Sequence, residues 1–399
     1  MITFCIPSKN NLRYLKSSIE SIRKNSTIEN DIVVYVDADN DGTEAWLKSK
    51  GIRYIKNETE KPKGIAYGYN RCIEAANTEV VCTFHADMYM AKGFDVAMLK
   101  HLKRNTVVSA TRIEPPLHPK ASEKIIEDFG MYPEDFNQTG FDEYVTKSIE
   151  HYKNKTTKGI FAPWVCYKKE VISLGIHDED FHSYHEDSDI FNRFILNGYE
   201  VIQTWEAFVY HLTCRGGQFQ DGIDKVTSDE AFHKMRNKAM RHYLRRWGSW
   251  IKNDEYQHPI LSPKYNVAFV VRNCNLQILD ALEPWCDRIY IDDDMRVITI
   301  AYLEKEQKDT VFDLSKRVLP ITINDPFSDN DIVVEFDAKV LTNQNFQLIQ
   351  QLSDIIKDSG EIGKFQLDVF TVTINGMTTY ENKLINLTDE YYTSKLIKL

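Results

Sequence analysis

An α/β fold, with short strands joined by helical crossovers, is predicted by three observations. Residues 2–6, 32–36, 52–55 and 80–84 are runs of apolar and β-branched residues, and stretches with helical apolar spacing part them. The runs at 32–36 and 80–84 end in polar turns, which is where open α/β sheets hold ligands. The same rhythm returns at 266–271, 288–291 and 331–336 after a polar, proline-containing stretch, which predicts a second, smaller α/β domain.

With 399 residues, 42% hydrophobic and 27% charged, the chain has room for two or three domains and the composition of an ordinary globular protein. Its formal charge of -10 argues against nucleic-acid binding, which leaves a basic footprint. An acidic chain that handles phosphates needs a metal or helix termini to do so locally. Seven cysteines, an odd number without close pairing, do not make a disulfide framework. The first residues lack the basic flank and apolar length of a signal peptide, and no apolar run reaches the roughly 18 residues of a membrane span. A soluble chain is expected, cytoplasmic or peripheral at a membrane surface.

Residues 2–6 alternate into a strand that Pro7 is expected to stop. Ser8-Lys9-Asn10-Asn11 then forms a turn before a helix with apolar positions Leu12, Leu15, Ile19 and Ile22. The strand at 32–36 ends in Asp37-Ala38-Asp39-Asn40-Asp41-Gly42-Thr43, where Thr43 or Asp41 caps a helix over 44–49. Strand, helix, strand begins a βαβ unit. The acidic turn reads as a ligand site or as a solvated loop with capping duties. After a third strand at 52–55, Lys63-Gly64-Ile65-Ala66 opens a helix carrying Tyr69, Asn70, Arg71, Cys72 and Ile73. The glycine permits close backbone approach, and the helix start favours an anion. Val80-Val81-Cys82-Thr83-Phe84 then reads as a buried strand that delivers His85 and Asp87, one residue apart, to its carboxyl end. On a tight turn both can face one divalent cation and, through it, a diphosphate. The other reading is a strand that ends in an ordinary polar turn.

The succession Pro7-Ser8-Lys9-Asn10, Val36-Asp37-Ala38-Asp39-Asn40-Asp41-Gly42-Thr43, Gly64-Ile65-Ala66 with Asn70-Arg71, and Phe84-His85-Ala86-Asp87 resembles the nucleotide-sugar half of a GT-A glycosyltransferase of the inverting family 2 type. The resemblance implies a GT-A (Rossmann-like) mixed sheet flanked by helices over residues 1–250. It implies that Asp37 and Asp39 hold the nucleoside, assisted by Pro7, Lys63, Asn70 and Arg71, and that a metal sits on the diphosphate. His85 stands where the family's Asp-x-Asp turn has its first acid, and Asp87 keeps the position that usually touches metal. A histidine suits Mn2+ or a softer ion better than Mg2+.

Residues 105–157 contain Pro115-Pro116 and His118-Pro119, which mark a loop, and a charged, aromatic stretch from 132 to 152 without a clean period. Acceptor contacts, a mobile lid and a plain surface insertion are the readings. Residues 159–167 read as a strand and 168–174 as a short helix. Glu186 and Asp187 then open a helix whose apolar face is Ile190, Phe194 and Ile195 and which Gly198 ends. The helix dipole favours ionised acids there, and capping alone would place them so. An inverting transfer needs a carboxylate to accept the acceptor hydroxyl's proton. The resemblance to the family's Glu-Asp signature implies Asp187 as that base, with Glu186 orienting the acceptor. Strands at 200–204 and 207–210 follow, and the second delivers His211, which by itself reads as a structural histidine and which the resemblance places where the family often has a histidine that can complete the metal site with Asp87 and His85. Arg215, before Gly216-Gly217, is expected to neutralise the leaving diphosphate.

Residues 228–252 read as a basic, aromatic helix, either a packing helix with a solvated basic face or a contact for an anionic acceptor or a membrane surface, in a first domain of 1–250, with 251–263 as a linker and 264–399 as the C-terminal domain. There, Phe336-Asp337-Ala338-Lys339 repeats the form of Phe84-His85-Ala86-Asp87, with Lys339 in the place of the metal ligand. A degenerate GT-A-like unit serving acceptor binding or homo-oligomer formation is expected, beside an unrelated α/β domain as the other reading.

The expected activity is transfer of a sugar from a nucleoside-diphosphate sugar, a UDP-sugar foremost, to a hydroxyl of a glycan, protein or lipid-linked acceptor, with a divalent metal, Mn2+ before Mg2+. A non-catalytic nucleotide- or glycan-binding protein that keeps the fold is one alternative. A nucleotidyltransferase is the other, and no Gly-rich stretch with a lysine placed for a triphosphate stands near the amino terminus to support it.

Overall fold

The computed structural model describes residues 1–212, 230–322, 327 and 329–379. They divide into two compact units, the first of residues up to 235 together with 253–260, the second of 236–252 and the chain from 261.

In the first unit the strands are β1 (Ile2–Ser8), β2 (Asp31–Val36), β3 (Arg53–Lys56), β4 (Val80–Thr83), β5 (Met88–Met90), β6 (Thr106–Glu114), β7 (Lys124–Ile126), β8 (Thr156–Thr157), β9 (Trp164–Tyr167) and β10 (Glu200–His211). The helices are α1 (Leu12–Asn25), α2 (Thr43–Ser49), α3 (Ile65–Ala75), α4 (Phe94–His101), α5 (Gln138–His151), α6 (Lys168–Ser173) and α7 (Glu186–Leu196). The sheet order is β3-β2-β1-β4-β9-β6-β10-β5, with β7 on β6 and β8 on β10. β3, β2, β1 and β4 are parallel, since each crossover returns the chain to the same end. Antiparallel β9 joins β4 to β6, so the sheet is mixed. α1 buries Leu15, Ile19 and Ile22 at helical spacing in the core cluster that also holds Phe4 and Val34 of the sheet.

Pro7 does not stop β1. Cys5 carbonyl accepts from Phe84 N–H, so odd-numbered residues of β1 turn their polar groups toward β4. Pairing with β4 has ended at Cys5, and the missing N–H of Pro7 falls where no partner asks for it. β10 is one strand rather than two, with its register shifted between Gln203 and Phe208. The stretch read as an irregular insertion holds β6, all nine residues of which are buried, and the fourteen-residue helix α5.

In the second unit β11 (Val267–Arg272), β12 (Arg288–Ile291), β13 (Val318–Pro320), β14 (Ile332–Asp337), β15 (Gly363–Leu367) and β16 (Phe370–Ile374) form a six-stranded sheet of order β13-β12-β11-β14-β16-β15. The first four strands are parallel, and β16 is antiparallel to β14. Order and direction repeat those of β3-β2-β1-β4 and antiparallel β9.

The basic helix α8 (Glu230–Trp247) is not the closing helix of the first unit, because residues 236–252 pack with the second. Leu244 joins that unit's core. Glu283, fully buried, accepts from Arg245 at 2.7 Å, Arg317 at 2.6 Å and the Tyr302 hydroxyl at 2.7 Å, while Glu306 accepts from Arg241 and Arg245 at 2.6 Å. A carboxylate so placed needs these cations. The six described cysteines are buried and unbonded, and no helix among the described residues is long and apolar enough to cross a membrane.

Candidate active site

The turn after β4 is closed by Met88 N–H on the His85 carbonyl, 3.3 Å, and anchored by fully buried Phe84. Past it, β5 pairs antiparallel with the end of β10, with Met88 opposite His211, and Leu212 N–H donates to the Asp87 carbonyl at 3.0 Å. That pairing carries His211 to the turn. His85, Asp87 and His211 offer ligand atoms that all lie within 4.8 Å of one another, and His211 Nε2 is 3.5 Å from Asp87 Oδ1. Two imidazoles and a carboxylate make a mixed donor set that fits a divalent transition ion. Burial, then the neighbouring His211, push His85 down to about 4, so its ring is neutral and ready to ligate. Burial opposes charge on His211 too, but Asp87 and Glu114 outweigh it and raise the ring to about 9.

Glu114, at the end of β6, escaped the sequence reading. It is 1% exposed, and its carboxylate lies 2.9 Å from Arg112, 2.8 Å from Lys124 Nζ and 3.1 Å from His211 Nδ1. Burial works against its charge, yet Arg112, His211 and Lys124 hold it well below the usual carboxylate range. Arg112 also pairs with Glu123 at 3.2 Å and lies 3.7 Å over the Phe161 ring, which meets His85 edge-on. An acid that closes a strand beside a basic residue two places back was the available signal.

Glu186 and Asp187 are the first two residues of α7. The loop before them is bent sharply, with positive φ at His182 (58°), Tyr184 (71°) and His185 (66°), each costing on the order of 1–3 kcal/mol. α3 over-determines it. Asn70 donates to the His177 carbonyl at 2.8 Å and accepts from His177 N–H at 2.9 Å, and Asn70 and Arg71 both reach Glu179, at 3.0 and 3.1 Å. The His182 carbonyl lies against Gly64, where a Cβ would sit 2.1 Å from it. Glu186 is 9% exposed, and its Oε2 makes no hydrogen bond. Burial, then Asp187 beside it, push the Glu186 carboxyl up to about 8, so it is protonated at neutral pH. Asp187 is the more exposed of the two, and its Oδ1 accepts from Ser188 N–H at 2.6 Å. The buried Tyr69 phenol senses both the acids and the turn: burial first, then Glu186 and more weakly Asp87, push it well above its ordinary range.

The residues expected to meet the nucleoside are mostly committed inside the protein. Asp37, 4% exposed, accepts from Asn57 at 2.7 Å, Lys63 N–H at 2.9 Å and Gly64 N–H at 2.9 Å, and so fixes the start of α3. Pro7 packs on α3 at Gly68, where a Cβ would lie 2.9 Å from the Pro7 ring. Asp39, half-buried in the turn after β2, is raised by burial and by Asp41. Lys63 contributes its backbone, and Arg71 stacks 4.7 Å over Tyr67. Arg215 lies outside the described residues.

The family model described as Glycosyl transferase family 2 matches residues 3–161. No curated protein matches the sequence. Among solved structures the chain is similar to GalNAc-T7 with UDP, GalNAc and Mn2+, at 12% identity and a TM-score of 0.40, over 53% of this chain and 43% of that one. It is similar to S. aureus TarS at 14% identity and a TM-score of 0.40, over 62% and 44%. To S. aureus TarS 1-349 in complex with UDP-GlcNAc it is 14% identical with a TM-score of 0.40, over 60% and 64%. The chain thus spans less than two thirds of each of these proteins.

Proposed function

From the match of residues 3–161 to the glycosyl transferase family 2 model we propose that the chain moves a sugar from a nucleoside-diphosphate sugar, a UDP-sugar foremost, to an acceptor hydroxyl with inversion. The observation that carries this reading is the convergence of His85, Asp87 and His211 within 4.8 Å at the carboxyl side of the sheet. These three residues would hold a divalent ion, Mn2+ before Mg2+ because two of the donors are imidazoles. When bound, such an ion supplies positive charge to the leaving diphosphate.

Asp187 accepts the proton of the acceptor hydroxyl as its oxygen bonds to the anomeric carbon, and the bond from that carbon to the diphosphate breaks with the electron pair leaving on phosphate oxygen. Glu186, protonated and buried, donates a hydrogen bond that orients the acceptor. Asp37 acts on the nucleoside side by fixing Lys63 and Gly64, and Asn70 and Arg71 act by holding the 177–179 loop under the catalytic acids. Pro7 and Asp39 line the nucleoside end, and Arg215 is assigned to the diphosphate. The acceptor is a glycan, a protein or a lipid-linked sugar.

Calorimetric titration of UDP, GDP and CDP, each with Mn2+ and with EDTA, tests the proposal. Tight binding of one nucleotide with Mn2+ alone is expected. Binding indifferent to Mn2+ overturns the metal assignment, and no binding of any of the three overturns the transferase reading in favour of a non-catalytic chain.

A further inference from the structure

Resting on the metal reading above, we infer that Glu114 is a positioning residue for the site: it holds the His211 ring so that Nε2 faces Asp87 and His85. Glu114 Oε1 lies 3.1 Å from His211 Nδ1, and an ionised carboxylate accepts but cannot donate. Nδ1 therefore carries the proton in that hydrogen bond. When a cation takes the proton's place on the other nitrogen, the Nε2 lone pair is the one presented. The opposite edge of the ring brings Nε2 to 3.5 Å from Asp87 Oδ1. Imidazole ligands are commonly tied by their second nitrogen to a carboxylate that fixes the tautomer and makes the ring a better donor.

What keeps Glu114 in this role, rather than letting it swing in as a ligand itself, is visible in the further partners of its two oxygens. Arg112 engages Oε1 at 2.9 Å and Lys124 engages Oε2 at 2.8 Å, both cations being less than a tenth exposed. Arg112 is in turn clamped by Glu123 and by the Phe161 ring. The arrangement is rigid because β6, which carries Arg112 and Glu114, pairs in register with the stretch of β10 leading to His211, with Arg112 opposite Val209 and Ile113 opposite Tyr210. The strand that the sequence hid is thus the one that aims the histidine.

The test is a Mn2+ titration by calorimetry on wild type, Glu114→Gln, Glu114→Ala and, as the control for the site itself, Asp87→Ala. A graded loss is expected, with Glu114→Ala binding Mn2+ about 10- to 100-fold more weakly than wild type and Glu114→Gln, which keeps an acceptor oxygen without its charge, falling between them. Circular dichroism and melting check the fold, and because Ala strands two buried cations the isosteric Gln variant decides if Ala does not fold. Wild-type Mn2+ affinity in both Glu114 variants, with loss in Asp87→Ala, overturns the positioning role and leaves the metal site standing. Unchanged affinity in Asp87→Ala, or no Mn2+ binding by wild type, overturns the metal reading and this inference with it.

Discussion

Replacing Glu186 by Gln puts the burial of the acid that opens α7 to a direct test. A carboxyl titrating near 8 instead of its ordinary 4.5 costs at most about 5 kcal/mol to keep ionised in the folded state, at roughly 1.4 kcal/mol per pH unit. Below about pH 4.5 the group is protonated in both the folded and the unfolded chain, and it adds no pH dependence. Between 4.5 and about 8 the unfolded chain ionises while the folded one keeps its proton, so wild-type stability falls as pH rises, and above about 8 the loss is complete. Gln has no proton to give up. Relative to wild type, the variant should therefore gain nothing near pH 4, up to about 3 kcal/mol at pH 7 and up to about 5 kcal/mol above pH 8. Any fixed cost of burying the amide shifts all these values together and leaves the slope. Scanning calorimetry at pH 5, 7 and 9 reads the effect on the first unit's transition, at ~2–4 °C per kcal/mol for a unit of this size. A difference between variant and wild type that is the same at pH 5 and pH 9 would refute the assignment of a buried, protonated Glu186.

Three further outcomes are expected. Asp187→Asn should lower turnover by at least about 100-fold while nucleotide affinity stays within a few-fold, measured by product formation and calorimetry, since general-base catalysis contributes on that order. Gly64→Ala should lower stability by at least about 1–3 kcal/mol in urea unfolding, because the residue has a φ of 90° and its Cβ would meet the His182 carbonyl. Glu283→Ala should cost the second unit about 3–5 kcal/mol, seen as a selective fall of one calorimetric transition, because it leaves the Arg245 and Arg317 guanidinium groups buried without that carboxylate.

The parallel half of the first sheet was legible because its strands are apolar and their turns polar, and so was the pairing of His85 and Asp87 on one turn. His211 was legible only through the family pattern, since a histidine at a strand end says nothing of which turn it meets until β5 pairs with β10. β6 was not legible for a physical reason. Its run Ser109-Ala110-Thr111-Arg112-Ile113-Glu114 looks solvated, and the partners that let those polar groups go under, Glu123, Lys124 and His211, come from other elements. Asp37 looked like a ligand-facing acid for the complementary reason: nothing local reveals that Lys63 and Gly64 return their amides to it. The basic face of α8 read as solvated because the acids it answers, Glu283 and Glu306, lie some forty to sixty residues further on.

That last contact decides where the chain can be cut for expression. A fragment starting at residue 264, where sequence composition suggests a boundary, discards Arg241 and Arg245 along with Leu244, and leaves Glu283 and Glu306 to compete for Arg317 and water in an interior that lacks a wall. The matching amino-terminal piece ending at 250 carries those same residues away from the core they were made to fill. Severing the polypeptide near residue 235 keeps the helix with its acids, but strands residues 253–260, which pack with the first unit, on the far side of the cut.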